Sequence, residues 1–430
     1  MTIAAHIARL AAASMSAAGL LMAGCTEARP WVKPYELEHL VDPIMSLTPD
    51  PVSSDYLTRI HEHGESARGA TGTVGVLPDD RADLLVHVYE GGGITMQGPS
   101  LLARKKFMNT VSLAASYDTE SISDASIDLL TPTSPASERR NRYGLSADVA
   151  HGKDTYSAGY LSSTESDYRS RTAFLSVSED MFGDLTTLRL TATRGWDEAR
   201  MLGNTAFRQP IDRRNWAVGL TQVLTPNLRG RMDLEASESE GFLNNPYRQV
   251  RYRDALSASG YSKQLERYPH TRTGNAAALE LKYYLPWRAA VDGNYRYYKD
   301  SWGVRANTFR LGYTHPWRNW TFEGHGRYYS QNHADFYGDL FPGLNAQNFL
   351  ARDRELAAFH SNTFGATASR QFMIPRATWM TKGTLNASYD RMHFSYSDYR
   401  DLRVQVRTPG TEPLYAFDAD VMQLFVSIWF

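Results

Sequence analysis

The amino-acid sequence predicts an all-β protein: a transmembrane antiparallel β-barrel of about 16 strands, preceded by a short helical segment. Three observations predict this fold. Apolar and polar residues alternate from Ala82 onward, short and long connections alternate along the chain, and the chain ends in a strongly apolar stretch. Alternation with period two is the pattern of strands, and short turns at one end with longer loops at the other are typical of membrane-spanning barrels.

The composition narrows the class of protein and its ligands. The chain has 430 residues and a formal charge of −1, which argues against a nucleic-acid partner because such proteins carry a basic excess. No internal run of about 18 apolar residues occurs, so no transmembrane helix is expected. The single cysteine leaves neither a disulfide framework nor a thiolate metal cluster available. No phosphate-binding loop, haem-attachment motif or zinc spacing is present, so no cofactor is expected.

The first residues predict a lipoprotein signal peptide at 1–24. An Ala-rich apolar stretch from Leu10 to Gly24 is too short to span a membrane as a helix and is typical of a secretory signal. It ends in Leu21-Met22-Ala23-Gly24-Cys25, which resembles the lipobox of bacterial lipoproteins. This resemblance implies cleavage before Cys25 and lipidation of its thiol. The alternative is an ordinary signal peptide that ends near a cysteine by chance.

Residues 25–81 are expected to form a lipid-anchored periplasmic segment and a linker. Pro34 can open a short helix, and apolar residues follow at the spacing of one helical face: Leu37, Leu40, Val41 and Ile44. The stretch from Ser53 to Asp80 is rich in Gly, Ser, Thr and Asp, which indicates a linker. Its His61-Glu62-His63 cluster has no third ligand in sight, so no metal site is predicted.

Residues 82–430 are expected to form the barrel, with one face of each strand toward lipid. In four segments, apolar residues of one parity alternate with charged residues of the other. We expect the charged parity to line the lumen, at Arg229, Arg231, Asp233, Glu235, Glu280, Lys282, Asp292, Arg296, Glu323 and Arg327. A soluble sandwich has the same periodicity, so alternation alone does not decide which side is wet.

The C-terminal stretch and the connections favour the barrel. Met422, Leu424, Val426, Ile428 and Phe430 form one unbroken apolar face, which a terminal edge strand in a soluble domain would leave open to aggregation. A membrane barrel instead seals such a strand against the first one. Seven short turns and two periplasmic termini give about 16 strands. Five long polar connections are expected, at about Glu120–Asn141, Gly195–Asp212, Glu238–Thr273, Gln331–Arg354 and Phe394–Pro413.

From about Ala82 to Phe430 the sequence resembles a proteobacterial outer-membrane barrel family of unknown function. The resemblance rests on these segments: Glu165 to Tyr168, Phe182 to Asp184, Thr221 to Pro226, Glu240 to Arg248, Tyr268 to Arg272, Arg296 to Gly303, Ala334 to Tyr337 and Ala351 to Leu356. The stretch from Trp31 to Met45 resembles a separate family of small periplasmic lipoproteins. The resemblance implies a barrel in the outer membrane of a Gram-negative cell and implies no activity.

The expected function is a porin-like channel or transporter for small polar solutes. Its vestibule candidates are Asp300, Arg305, Asp335, Arg352, Asp353 and Glu355. Inward-folded loops that neutralise one another's charges would explain the same residues. A second function is a plugged barrel that anchors a periplasmic protein partner, and a third is an envelope-modifying enzyme. Ser330, His333 and Asp335 define no triad, so no enzymatic activity is expected. The expected partners are outer-membrane lipid and, through the last strand, the barrel-assembly machinery.

Lipidation at Cys25 is directly testable. Metabolic labelling with a radioactive fatty acid is expected to mark the wild-type protein and not Cys25→Ser, because the thiol is the acceptor. Equal label in the two proteins would contradict the lipoprotein assignment.

Overall fold

A computed structural model describes residues 32, 39–40, 42–47, 77–124, 137–373 and 377–430. Within them, sixteen antiparallel strands form one closed barrel, and two further strands form a separate hairpin. This confirms the predicted fold class and strand number. No helix among the described residues is long and apolar enough to cross a membrane. The signal peptide, Cys25, the His61-Glu62-His63 cluster and most of the linker lie outside the described residues.

The strands follow one another around the barrel, with each next to its predecessor in the chain except where the hairpin β10–β11 intervenes between β9 and β12. Their bounds are β1 Arg81–Gly91, β2 Ile94–Phe107, β3 Val111–Asp124, β4 Ser137–His151, β5 Asp154–Thr164, β6 Tyr168–Met181, β7 Thr186–Met201, β8 Asn204–Thr225, β9 Leu228–Gly241, β10 Gln249–Arg253, β11 Tyr261–Leu265, β12 Thr271–Leu285, β13 Ala289–Asp300, β14 Arg305–Trp317, β15 Trp320–Gln331, β16 Phe359–Phe372, β17 Lys382–Arg400 and β18 Leu414–Trp429.

The last strand closes the barrel against the first. β18 pairs antiparallel with β1 over the whole of β1, from Arg81 opposite Trp429 to Gly91 opposite Ala419. Its other edge pairs with β17. Over the length of β1, neither terminal strand therefore has a free edge, as a hydrocarbon environment requires. The first residues of β18, Leu414 to Asp418, extend beyond β1 at the other end of the barrel.

The predicted parity of β18 is correct. Met422 and Leu424 are 56% and 53% exposed on the outer surface, whereas Phe425 and Ser427, of the other parity, are 2% and 3% exposed inside the barrel. The same alternation runs through the other strands, and large apolar side chains such as Leu311 cover the outer surface. A continuous apolar exterior on a closed barrel is the architecture of a protein that spans a membrane.

The two ends of the barrel differ, and we call them the turn end and the loop end. Both termini of the barrel and most of the short turns, such as the one between β8 and β9 at Thr225–Leu228, lie at the turn end, whereas the long connections and the tight turns after β1, β5 and β7 lie at the loop end. The expectation of a long loop at Gly195–Asp212 is wrong. β7 and β8 extend through it and meet in a tight turn at Leu202–Gly203, where Gly203 has a φ of +80°. The polar composition of this stretch reflects a hairpin that is longer than the membrane is thick. β8 has 22 residues, whereas roughly 9–11 residues of a strand are enough to cross a membrane.

The described part of the N-terminal segment differs from the expected helix. It contains a single 3-10 turn at Pro43–Met45, which Asp42 caps by accepting a hydrogen bond from the Ile44 N–H. Pro43 occupies the first position of this turn, where its missing N–H costs nothing. Two of the four residues of the predicted helical face, Leu37 and Val41, lie outside the described residues.

The inside–outside assignment can be tested at two neighbouring residues of β4. Leu145 is 66% exposed on the outer surface, and Ser146 has the inward parity. Leu145→Arg is expected to cost about 2–4 kcal/mol of barrel stability, as for an arginine at the bilayer midplane. Ser146→Arg keeps its charge in the polar interior and should cost less. Heat-modifiable gel mobility of membrane fractions measures both; equal damage would refute the assigned parity.

Candidate functional site

The inward face carries most of its predicted charged residues as ion pairs. The Arg231 guanidinium lies 2.8 Å from a carboxylate oxygen of Asp233 on the same strand. Arg296 of β13 reaches across β12 to Glu235 of β9 at 3.0 Å. Charges taken out of bulk water need such partners, so these side chains form a compensated polar wall rather than rows of free charges.

The remaining predicted residues of this face have the same inward parity. Glu280 lies opposite Arg231 in the strand register, and the Arg327 guanidinium lies 5.4 Å from the ring centre of Tyr329. Asp292 and Glu323 both pair with Arg310, the latter at 2.7 Å. Sequence reasoning missed Arg310, although it alternates with outward Phe309 and Leu311 and the same parity rule would have found it.

The N-terminal segment lies at the turn end of the barrel and is held there by polar contacts from the wall. Arg229 donates hydrogen bonds to the backbone carbonyls of Met45 and Leu40, at 3.3 and 3.5 Å. The Lys282 ammonium donates to the Ser46 carbonyl at 2.7 Å. These donors neutralise no charge on the segment, because they bind its backbone rather than its side chains.

Apolar burial contributes more to this contact. Val32, Leu40, Ile44 and Met45 are each at most 6% exposed and pack in one cluster with wall residues Leu185, Val223, Tyr284 and Ala290. Fully burying one such side chain stabilises by about 1.5–3 kcal/mol. The ion pair between Asp42 and Arg288, whose side chain is 64% exposed, contributes only about 0–1 kcal/mol by comparison.

Arg229 and Lys282 therefore differ from the expected solute-facing ring. Both have the inward parity, but each is bound to the N-terminal segment rather than presented to an open lumen. The sequence could not indicate this, because the partners lie 184 and 236 residues apart in the chain and no local pattern relates them.

The long connections form a packed cap at the loop end. The hairpin β10–β11 extends from the β9–β12 connection, and Tyr252 and Arg267 form bridges to Phe341 and Leu350 in the β15–β16 connection. Aromatic side chains of these loops and of the inward wall share one buried cluster: Tyr268, Trp302, Phe336, Tyr298, Tyr329 and Phe359. The loops are thus folded against the inner wall.

A buried arginine joins three connections of the cap. Arg251 of β10 is 1% exposed and pairs with Asp339 of the β15–β16 connection and Glu412 of the β17–β18 connection, both at 2.5 Å. Burial opposes the charge of both Arg251 and Glu412. The hydrogen bonds between them, together with the charge and hydrogen bond of Asp339 on Arg251 and the backbone hydrogen bonds and arginine charge on Glu412, outweigh that effect, so the pKa of Glu412 is lowered and that of Arg251 is raised.

Three of the predicted vestibule residues have partners within the cap. Asp300 accepts from Arg272 at 2.6 Å and from the Val304 N–H at 2.9 Å. Arg352 lies 3.0 Å from Asp339 and donates to the Tyr399 hydroxyl at 3.1 Å. Asp353 pairs with Arg248 and accepts a hydrogen bond from the Tyr268 hydroxyl at 3.2 Å.

The other three are placed differently. Arg305 is exposed and has the outward parity of β14, so it does not join the inward group. Asp335 is exposed, and its carboxylate lies against Gly303, where an added Cβ would be 2.2 Å away and φ is +86°. Glu355 belongs to a 3-10 turn at Arg354–Leu356 and is half-buried. The sequence indicates that these residues lie in or near the loops, but that position does not determine where their side chains point.

The negative charge of an acidic group near the loop end is partly neutralised by neighbouring residues. Oxygen atoms of Glu138, Glu165 and Asp167 lie within 4.8 Å of one another, and Arg140 pairs with Glu165 at 2.5 Å. Burial, together with the charges of Glu138 and Glu165, raises the pKa of Asp167 to about 7. One guanidinium and partial protonation of Asp167 near neutral pH therefore offset part of the negative charge of the three carboxyl groups.

Two family models match the chain. The model described as a protein of unknown function (DUF3570) covers residues 130–391, more than half of the chain, and the chain belongs to this family. The model described as a domain of unknown function (DUF4266) covers residues 32–76. The predicted resemblance to a barrel family of unknown function with a separate N-terminal domain is thus confirmed. No curated protein matches the sequence.

Solved structures with a similar fold are outer-membrane proteins. A bacterial polysaccharide outer membrane secretin covers 82% of this chain and 99% of its own, at 7% identity and a TM-score of 0.44. OccD3 (OpdP) of Pseudomonas aeruginosa covers 83% and 92%, at 9% identity and 0.42. The siderophore receptor PirA of Pseudomonas aeruginosa covers 85% and 84%, at 10% identity and 0.36.

The cap can be tested by removing its central cation. Arg251→Met leaves the buried Glu412 without its arginine partner and leaves Asp339 with Arg352 alone, and breaking a buried pair in this way costs about 3–5 kcal/mol. We expect faster hydrogen exchange and proteolysis in 249–265 and 401–413. Arg253→Met, an exposed arginine of the same hairpin, is the matched control. Identical protection in the two variants would show that the ion pairs do not hold the cap.

Proposed function

We propose that this member of the DUF3570 family is an outer-membrane channel for small polar solutes, closed at its turn end by its own N-terminal segment. The observation that carries the proposal is the position of that segment, which is bound by inward-facing Arg229 and Lys282 at the mouth of a sixteen-stranded barrel. A barrel of this size is wide enough for an aqueous passage unless its interior is filled.

The chemistry of the inner wall supports a polar solute. The inward face of β9 and β12–β15 carries guanidinium and carboxylate groups that already compensate one another, as in the pairs Arg231–Asp233 and Arg296–Glu235. Charged rings set ion preference in pores, whereas a wall of paired charges presents donors and acceptors without a strong net field. An uncharged or zwitterionic solute suits such a wall.

We further propose that the turn end faces the periplasm and that Cys25 anchors the segment in the adjacent leaflet. Short turns face the periplasm in outer-membrane barrels, and the described residues of the segment lie at this end. The chain between Cys25 and Val32 reaches at most about 25 Å when extended. A lipid on Cys25 would therefore keep the segment beside the mouth even when it is released.

The mode of binding supports reversible closure. The wall donates to backbone carbonyls and buries four apolar side chains, so no strand pairing links segment and barrel in the described residues. Such a contact can be released without disturbing the closed sheet. In this mechanism, tension on the linker or the binding of a periplasmic partner would be sufficient to release the segment.

A second candidate is an anchoring barrel with no transport activity. The loop-end cap favours it, because Arg251 and its carboxylates join three connections and the aromatic cluster packs on the inner wall. In this function the barrel holds the N-terminal segment beside a periplasmic protein. We expect no catalytic activity in either function.

Recordings from planar bilayers distinguish the two. Met45 is fully buried in the contact, so Met45→Asp should release the segment, because a carboxylate cannot remain in that apolar cluster. The full-length wild type is expected to be mostly closed and Met45→Asp to conduct steadily. Met108→Asp is the matched control, since Met108 is 88% exposed in a turn at the same end.

Two results would contradict the channel. If Met45→Asp is folded and inserted but silent, the anchoring function is favoured. If the wild type conducts as well as Met45→Asp, the N-terminal segment does not close the barrel.

A further inference from the structure

The outer surface of β4–β8 has a groove that interrupts its apolar cover. The groove has a volume of about 840 Å³. One row across it reads Ala147, Ala158, Leu175, Ala192 and Trp216 on neighbouring strands. Three alanines in this row leave the sheet surface low, while the large side chains stand above it. The result is a shallow apolar channel along the outside of the barrel.

The next row toward the loop end ends the groove with two arginines. Arg194 of β7 lies directly opposite Arg214 of β8, and both side chains are outward and substantially exposed, at 51% and 40%. Like charges directly opposite each other on a sheet are unfavourable without a shared counter-charge. Here Asp212 supplies one carboxylate to both arginines.

The carboxylates of this surface do not fully balance the arginines. Asp212 lies 2.8 Å from Arg194 and 3.2 Å from Arg214, and Glu238 lies 3.4 Å from Arg214. Arg171 stands one row higher, opposite Trp196, and has no ion-pair partner among the described residues. Glu240 is exposed and lies opposite Asp212 in the register, so these two rows carry three guanidinium groups and three carboxylates. The two rows above them add three arginines and one carboxylate, namely Arg169, Arg200, Arg208 and Glu198, which gives the edge of the apolar groove a basic excess.

We propose that this groove binds a phosphorylated glycolipid of the outer leaflet, with the acyl chains on the alanine floor and phosphate groups at Arg171, Arg194 and Arg214. Guanidinium groups bind phosphate oxygens bidentately. The assignment to the outer leaflet rests on the proposed orientation, in which the loop end is external.

The width of the groove favours a lipid with several acyl chains. Its floor crosses five strands, which are spaced about 4.8 Å apart, so it extends roughly 20 Å along the barrel surface. Arginines on three neighbouring strands also suit a head group with more than one phosphate. A phospholipid with two acyl chains and one phosphate would use only part of this surface.

Another outward arginine, outside the groove, provides a comparison. Arg391 of β17 is 48% exposed and pairs with Asp418 at 2.7 Å and Asp420 at 2.5 Å. There one guanidinium meets two carboxylates, so the local charge is negative. This position provides a matched control, because it has an outward, ion-paired arginine without the basic excess of the groove.

The test measures lipid binding to the full-length, refolded protein by native mass spectrometry in detergent. The ligands are bis-phosphorylated lipid A, the same lipid without its phosphates, and phosphatidylglycerol. Wild-type protein is expected to bind lipid A at least about tenfold more tightly than either of the others, since charge-assisted hydrogen bonds to phosphate are lost or fewer. Equal affinity for all three lipids would overturn the proposal without any variant.

Variants then locate the site. Arg194→Gln with Arg214→Gln should weaken lipid A binding by about tenfold or more, and Ala192→Trp should weaken it by filling the floor while keeping every charge. Arg391→Gln should bind as the wild type does. Unchanged binding by the first two, in protein that keeps its heat-modifiable mobility, would overturn the site. Lipid binding is measured apart from conductance, so failure of the channel proposal would not produce this result.

Discussion

The pairing of β1 with β18 is the constraint on which the rest of this structure depends. It joins the first and last strands of the barrel along the full length of β1, and without it two strands would expose unpaired N–H and C=O groups. In hydrocarbon each such group costs several kcal/mol. Closure also creates an inside and an outside, so the parity of every residue in the sixteen strands then decides whether it meets lipid or the lumen.

The interior is organised by two different kinds of contact at its two ends. At the turn end, burial of residues such as Met45 and Leu40 dominates, and polar groups of the wall bind only the backbone of the N-terminal segment. At the loop end, Arg251 joins separate connections through buried ion pairs. A buried ion pair contributes little net stability but is costly to break. The contact at the turn end is therefore suited to release of the N-terminal segment, and the contact at the loop end is suited to a permanent attachment of the connections.

Parity also separates arginines that the sequence presents as equivalent. Arg231 faces inward and is compensated by Asp233, whereas Arg194 faces outward, above the alanine floor of the groove. The candidate inner wall could be predicted from the sequence, because alternation fixes which residues share a face. The cap could not, since Arg251, Asp339 and Glu412 lie in irregular connections where no periodicity relates sequence position to direction. Arg305 differs, because it opens β14 and shares the outward parity of Phe309 and Leu311, so alternation would have excluded it from the inward group.

The sequence by itself determined the barrel, its strand number, the outward face of β18 and the inward direction of residues such as Glu235 and Asp292. These follow from a local rule, because a strand alternates its side chains whatever the rest of the chain does. Only the tertiary structure decided that Arg229 and Lys282 hold the N-terminal segment, that β7 and β8 continue through an apparent loop, and that three connections share Arg251. Each of these depends on which distant residues meet once the sheet closes, and no local pattern carries that information.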